Sequence, residues 1–390
     1  MRYPADISSF GGEFSMHFLS FLIKPASGLC NLHCRYCFYE DETNNRSEKN
    51  RGIMKEVTMH LLIDRAFQEV SPNGRILFAF QGGEPTIAGL PFFRRFVDCV
   101  KSFQTPHVSV SYAIQTNGTL LDEEWAVFFQ ENRFLVGISM DGDKALHNLY
   151  RKDPAGKDTW NQVVKSLRLL QKSHVDVNAL CVVTGQAARH PEKIYREMKS
   201  LGLEHLQYIA CLDPIGEPKG KRIWSLSPES YGSFLCRLFD CWYQDWEKGQ
   251  YHSIRLFDDY IHILLGDGAS TCSTCGRCGS YFLVEADGSV YPCDFFALDD
   301  WYMGDIKTCS LSDLASGETV RRFLAESAKK PLECAGCRYS SVCNGGCRND
   351  WVMASSGVQN YYCASFRMLL DYAMPRMQLI AHAELRQRSR

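Results

Sequence analysis

Residues 30–37 read Cys30-Asn31-Leu32-His33-Cys34-Arg35-Tyr36-Cys37. Three thiols fall within this short run, separated by three residues and then by two. A structural zinc site needs four ligands, and no fourth cysteine or outlying histidine pair stands nearby. A [4Fe–4S] cluster held by only three thiolates keeps one iron open to an exchangeable ligand. A cluster that must touch a substrate or cofactor needs that open position.

The chain around this stretch has 390 residues, with 18 cysteines and 43 Lys+Arg against 45 Asp+Glu. Its length suggests two or more domains. At 45% hydrophobic residues it can bury a large core, which excludes wholesale disorder. A net charge of −2 argues against a nucleic-acid binder. There is no long apolar run, so no membrane span is expected. The opening MRYPADISSFGGEF lacks the charged and apolar regions of a secretory leader, which points to the cytoplasm. In that setting, clustered thiols read as metal ligands rather than as a disulfide scaffold.

Up to about residue 215, strand and helix patterns alternate. Strands are predicted at 17–24, 75–81, 107–115, 133–139, 175–183 and 205–211, several of them continuously apolar, as strands buried on both faces should be. Helical stretches lie near 55–70, 90–104, 122–131, 159–173 and 190–200, with Asp122 and Asp158-Thr159 as N-caps. Such alternation implies a parallel α/β sheet with right-handed crossovers. Its chemistry belongs at the C-terminal ends of the strands. Those ends carry the Cys30–Cys37 loop, Gln81-Gly82-Gly83-Glu84-Pro85, Gln115-Thr116-Asn117-Gly118, Ser139-Met140-Asp141-Gly142 and Cys211-Leu212-Asp213-Pro214.

On Cys30, Cys34, Tyr36 and Cys37, with Gly82-Gly83-Glu84-Pro85 following, the chain resembles the radical S-adenosylmethionine (SAM) superfamily. The resemblance implies a partial (β/α)6 barrel, with SAM chelated on the open iron and cleaved to a hydrogen-abstracting 5′-deoxyadenosyl radical. It makes Tyr36, Tyr39, Gln81, Gly82, Gly83 and Glu84 cofactor-site residues, with Ser139 and Arg151 on the SAM ribose and carboxylate and Leu212 on the adenine. Two glycines let a backbone approach a ligand without a Cβ in the way.

A second dense region holds Cys272, Cys275, Cys278 and Cys293, then Cys334, Cys337, Cys343, Cys347 and Cys363. Residues 281–286 and 289–293 flank Asp287-Gly288, a hairpin turn that folds Cys293 back towards Cys278. Spacing alone does not separate zinc from iron–sulfur here. The whole pattern is similar to the SPASM domain, a small cysteine-rich extension with a hairpin and helices. That resemblance implies two further [4Fe–4S] clusters, one on Cys272, Cys278, Cys293 and Cys347, the other on Cys334, Cys337, Cys343 and Cys363. Cys275 is the alternative to Cys272. Cys309 and the mid-chain cysteines read as buried apolar residues. The expected division is a barrel over 1–225, a helical connector over 226–265 and the cluster domain over 266–390.

Further segments, among them Leu22–Ser27, Cys37-Phe38-Tyr39, Gln115–Leu120 and Tyr291–Phe295, look like the anaerobic sulfatase-maturating enzymes. These oxidise a Cys or Ser of a sulfatase to Cα-formylglycine. The resemblance implies removal of a Cβ hydrogen, with Asp294 as the base, on a nascent peptide bearing Cys/Ser-x-Pro/Ala-x-Arg. Asp141, Asp213 and Asp258 are candidates to meet its arginine. Reduced flavodoxin or a ferredoxin-type protein would supply electrons, in the absence of oxygen. Other SPASM enzymes crosslink or otherwise modify ribosomally made peptides. They often carry a long N-terminal recognition domain, and here about 16 residues precede the first strand. A plain electron carrier has no use for an open iron beside a SAM site.

Overall fold

The computed structural model describes residues 16–279, 281–355 and 357–388. The N-terminal stretch read above for a leader lies outside them.

Six parallel strands form the centre in chain order: β1 (Met16–Ile23), β2 (Val70–Phe80), β3 (Ser109–Thr116), β4 (Phe134–Ser139), β5 (Asp176–Val183) and β6 (His205–Ala210). Helices α1 (Phe38–Asn44), α2 (Glu56–Glu69), α3 (Leu90–Phe103), α4 (Glu123–Glu131), α5 (Lys144–Tyr150), α6 (Trp160–Lys172) and α7 (Pro191–Ser200) fill the crossovers. The helices α8 (Pro228–Glu247) and α9 (Arg255–Leu265) follow, with the two-residue β7 (Ser253–Ile254) paired to β6 between them.

An aromatic ladder fixes the register. Phe21, Phe78, Tyr112 and Phe134 stand directly opposite one another on β1 to β4, with ring centroids 5.5, 6.3 and 4.9 Å apart. They face the outer helices, where Phe93, Phe96 and Phe129 complete a fully buried core. The inner face differs from the expectation of strands apolar on both sides. Gln115, Asn178 and Gln207 point into the barrel, and Gly137 makes room for two of them. A Cβ there would lie 2.1 Å from Gln115 Oε1 and 2.9 Å from Asn178 Oδ1. A polar lumen suits a barrel that holds a polar ligand.

The cluster domain does not stand apart from this sheet. Its hairpin, β8 (Phe282–Val284) and β9 (Ser289–Tyr291), joins the β1 edge, with β8 parallel to β1. Phe282 extends the aromatic ladder, stacking on Phe21 at 5.5 Å. β10 (Gly304–Asp305) closes a ten-stranded sheet. The hairpin therefore sits rigidly beside the loop that follows β1.

Asp122 caps α4 by accepting from Trp125 N at 3.1 Å. Thr159 stands at the N-cap of α6, but its side chain makes no cap bond. Its hydroxyl instead donates to Arg151 O at 2.9 Å and meets His147 Nε2 at 3.1 Å. Among the described residues, no helix is long and apolar enough to cross a membrane.

Candidate active site

The Cys30–Cys37 loop is pinned by backbone bonds: His33 N to Lys152 O at 2.8 Å, Arg35 N to Tyr150 O at 3.3 Å and Cys37 N to Cys34 O at 2.9 Å. Leu32, Cys34, Tyr36, Tyr150 and Cys211 bury it, with Cys30, Cys37 and Trp224 packed against them. Burial pushes Cys30 and Cys34 up to about 12, with Glu84 and Cys37 adding to it at Cys30 and Arg151 opposing it at Cys34. Three crowded, desolvated thiols are a poor arrangement alone and a good one around iron, whose positive charge stabilises all three as thiolates. Leu32 N points at Cys30 Sγ from 3.4 Å, the sort of donor that a cluster sulfur accepts.

Gly82 and Gly83 serve contacts within the chain. A Cβ on Gly83 would lie 2.1 Å from Leu29 O, so this glycine docks the cluster loop, reinforced by Glu84 N donating to Leu29 O at 2.7 Å. A Cβ on Gly82 would lie 2.4 Å from Lys24 Cγ. Both residues have positive φ, at +83° and +33°. Glu84 is 1% exposed. Its carboxylate accepts from Thr86 N, Thr86 Oγ1, Thr116 Oγ1 and Asn117 N, all within 3.1 Å. Its side chain therefore ties β2 to β3, while its backbone N–H donates to Leu29 O and its carbonyl accepts from Ile87 N.

Asp141 is a second hub. It accepts from Arg151 Nε at 2.8 Å and Nη2 at 3.1 Å, from Val182 N at 3.0 Å and from the Tyr36 hydroxyl. Burial alone would raise this carboxyl, but Arg151 outweighs it and holds it below its usual value. Asp141 is thus spent on this chain's own arginine, which overturns the expectation that it meets a substrate arginine. Asp213 accepts from Gly220 N and Ser225 Oγ, and Asp258 from Tyr251 and Ser253, so those carboxylates too are engaged locally. Arg151 has two of its nitrogens on Asp141 and lies over the Tyr36 ring. Ser139 Oγ accepts from Gln115 Nε2 at 3.0 Å inside the barrel. Leu212 is half-buried just beyond β6.

Asp294, 7% exposed, follows the hairpin and meets the cluster loop. The Tyr39 hydroxyl donates to its Oδ2 at 2.7 Å, and Gln81 Nε2 donates to that hydroxyl. Asp294 Oδ1 is buried with no hydrogen-bond partner. Lys24 Nζ stands 3.6 Å from it, within ion-pair range but beyond a hydrogen bond. Burial raises the Asp294 carboxyl, and Lys24 partly opposes this. Lys24 itself donates to both Glu42 oxygens, at 2.8 and 2.9 Å, and lies 3.6 Å from Glu285, which also pairs with Arg46. Burial would lower the Lys24 ammonium, but Glu42, Glu285 and Asp294 together raise it, so it stays charged.

The later cysteines gather in two sets. Beyond the effect of burial, Cys272 pushes up the thiols of Cys278, Cys293 and Cys347. Cys275 feels no other cysteine than Cys272, and its thiol turns to Ala269 O at 3.8 Å. Cys334, Cys337, Cys343 and Cys363 line a single pocket with Glu333 and Arg367. Four sulfurs are the complement of a fully liganded four-iron cluster.

The radical SAM superfamily model matches residues 25–198, and an iron–sulfur cluster-binding domain of the SPASM type matches residues 270–338. A cysteine-type anaerobic sulfatase-maturating enzyme of Clostridium perfringens is 44% identical over 93% of this chain and 98% of its own length. The chain belongs to the anaerobic sulfatase-maturating enzymes. The cysteine-type enzyme of Clostridium novyi is 42% identical over 94% of this chain and 98% of its own. A solved structure of native anSMEcpe with bound AdoMet and Cp18Cys peptide superposes with a TM-score of 0.88, at 42% identity, over 94% of this chain and 99% of that one. A serine-type enzyme of Bacteroides thetaiotaomicron is more distant, at 29% identity over 92% of this chain and 90% of its own.

As a sulfatase-maturating enzyme of the radical SAM class, the protein uses SAM and [4Fe–4S] clusters. The sequence missed the buried charges Lys24, Glu42, Arg46 and Glu285. One signal was available. Lys24 directly follows the buried apolar end of β1, and a lysine there must be paired to be buried.

Proposed function

We propose that the protein converts the target cysteine of a sulfatase to Cα-formylglycine. Cysteine is favoured over serine because the cysteine-type relatives are 42–44% identical and the serine-type ones 29–30%. Bound SAM supplies a radical that takes a hydrogen atom from the target Cβ. Everything else falls to the chain. Cys30, Cys34 and Cys37 would hold the cluster that carries SAM, with the Gly82–Glu84 backbone, Ser139, Arg151 and Leu212 around it. Cys272, Cys278, Cys293 and Cys347 would hold one auxiliary cluster, and Cys334, Cys337, Cys343 and Cys363 the other.

The observation that carries the reading is a convergence of distant segments. Tyr39 follows the cluster loop, Gln81 opens the glycine loop and Asp294 adjoins Cys293, yet their side chains form one chain of hydrogen bonds. The unpartnered Asp294 Oδ1 is the acceptor for the thiol proton. As that proton leaves, the S–H electron pair stays on sulfur and a carbon–sulfur double bond forms. One electron departs, and a cluster held in part by Cys293, next in the chain to Asp294, would supply the acceptor. Water then adds to the thioaldehyde carbon, and sulfur leaves as hydrogen sulfide. The substrate reads as an extended peptide with a Cys-x-Pro/Ala-x-Arg segment, and the electron donor as a flavodoxin or ferredoxin-type protein.

The test is a peptide deuterated at the cysteine Cβ. One deuterium should appear in 5′-deoxyadenosine for each formylglycine made. Product without deuterium transfer would reject Cβ abstraction.

A further inference from the structure

We infer that Lys24 is a positioning residue for Asp294, setting the aim of its free oxygen. The inference rests on the reading of Asp294 as the base.

Three contacts make Lys24 a bracket. Its Nζ lies 3.6 Å from Asp294 Oδ1, and 5.0 Å from the centre of the Tyr39 ring, whose hydroxyl holds Oδ2. Oδ2 is thus held tightly, and Oδ1 has Lys24 at a distance that leaves it open. Lys24 cannot drift towards Asp294, because Glu42 holds the ammonium through both of its oxygens, at 2.8 and 2.9 Å. Nor can its stem move away, because Gly82 gives it a floor that any Cβ would fill. The first glycine of the SAM-site loop is therefore also the seat of Lys24. Glu42 and Glu285 lie within ion-pair range of the ammonium, and Arg46 pairs with both of these carboxylates. An ammonium 2% exposed and fixed this firmly is a reference point for the carboxylate beside it.

A positioning role differs from a packing role in one measurable way. If the base is misaimed, hydrogen abstraction continues while the thiol proton stays. Radical events then outnumber products. The experiment uses the fully reconstituted enzyme, SAM and a cysteine sulfatase peptide without oxygen, and counts 5′-deoxyadenosine against formylglycine. Lys24→Met should keep SAM binding and 5′-deoxyadenosine formation within about threefold, while the ratio of 5′-deoxyadenosine to formylglycine rises by about tenfold. Lys24→Met leaves Glu42 with Arg46 alone, at 3.3 Å, so Lys24→Met with Glu42→Gln is measured alongside it and should show the same ratio with the pocket's net charge restored. A wild-type ratio in the double variant would overturn the inference, whether or not the single variant folds. Asp294→Asn separates the two claims. If it turns over normally, the base reading itself falls. If it is inactive while the Lys24 variants keep the wild-type ratio, only the role of Lys24 falls.

Discussion

The Tyr39 hydroxyl donates to Asp294 Oδ2 at 2.7 Å across 255 residues of sequence. This bond joins α1, just past the Cys30–Cys37 loop, to the segment that follows the β8–β9 hairpin. Tyr39 also accepts from Gln81, so it can give its proton to Asp294 and still be satisfied. Tyr39→Phe removes the donor and leaves a buried carboxylate oxygen short of a partner. Formylglycine formation should fall about tenfold while SAM affinity holds. Equal losses in turnover and in SAM binding would assign Tyr39 to the cofactor instead.

Gly83 is a test of how the loop is built. Any Cβ at this position meets Leu29 O at 2.1 Å, in a backbone conformation with φ +33°. Gly83→Ala should push away the Cys30–Cys37 loop and spare the distant cysteines. Reconstituted protein should then hold about 8 iron instead of the about 12 expected of three four-iron clusters. Retention of the full complement would show that the loop docks in another way.

The assignment of Cys272 over Cys275 has a similar readout. Cys272 adds to the burial that raises the thiols of Cys278, Cys293 and Cys347, whereas the Cys275 thiol donates to Ala269 O at 3.8 Å. Cys272→Ala should lose about four iron and Cys275→Ala none. The reverse pattern would exchange the two.

The barrel and its rim were legible in the sequence. Apolar runs located six strands, because strands beneath helices must be apolar on at least one face. The thiol spacing and the Gly82-Gly83 pair marked the loops, because few residue types meet those demands. What stayed hidden depends on long-range pairing. The union of β8 with β1 joins Phe21 to Phe282, and neither residue signals its partner locally. The Lys24–Glu42–Arg46–Glu285 network is likewise four scattered charges until the fold gathers them. Asp141 looked available to a substrate arginine only because Arg151, ten residues on, could not be seen to turn back on it.

His147 provides a pH test of the rim. Burial first, and then Arg151, lowers it from 6.5 to about 3, so it is neutral in the folded protein. Its Nδ1 accepts from Asp141 N at 3.4 Å, and its Nε2 proton goes to Thr159. Between pH 6.5 and about 3 the unfolded chain binds a proton that the folded chain does not. This residue therefore stabilises the fold fully above the upper limit and loses its contribution as pH falls, by about 1.4 kcal/mol per unit. Denaturation of His147→Gln from pH 6.5 downwards should show a slope shallower by one proton. An unchanged slope would mean that His147 titrates alike in both states.

The most direct measurement is the mass of a cysteine sulfatase peptide after anaerobic incubation with reconstituted enzyme, SAM and a reductant. Replacement of the thiol by an aldehyde lowers the peptide mass by about 18 Da, and SAM-derived 5′-deoxyadenosine accompanies it. That loss, located at the target cysteine and absent with Asp294→Asn, is the predicted result. An unchanged mass, or a loss of about 2 Da with an internal crosslink, would contradict formylglycine formation as the reaction of this enzyme.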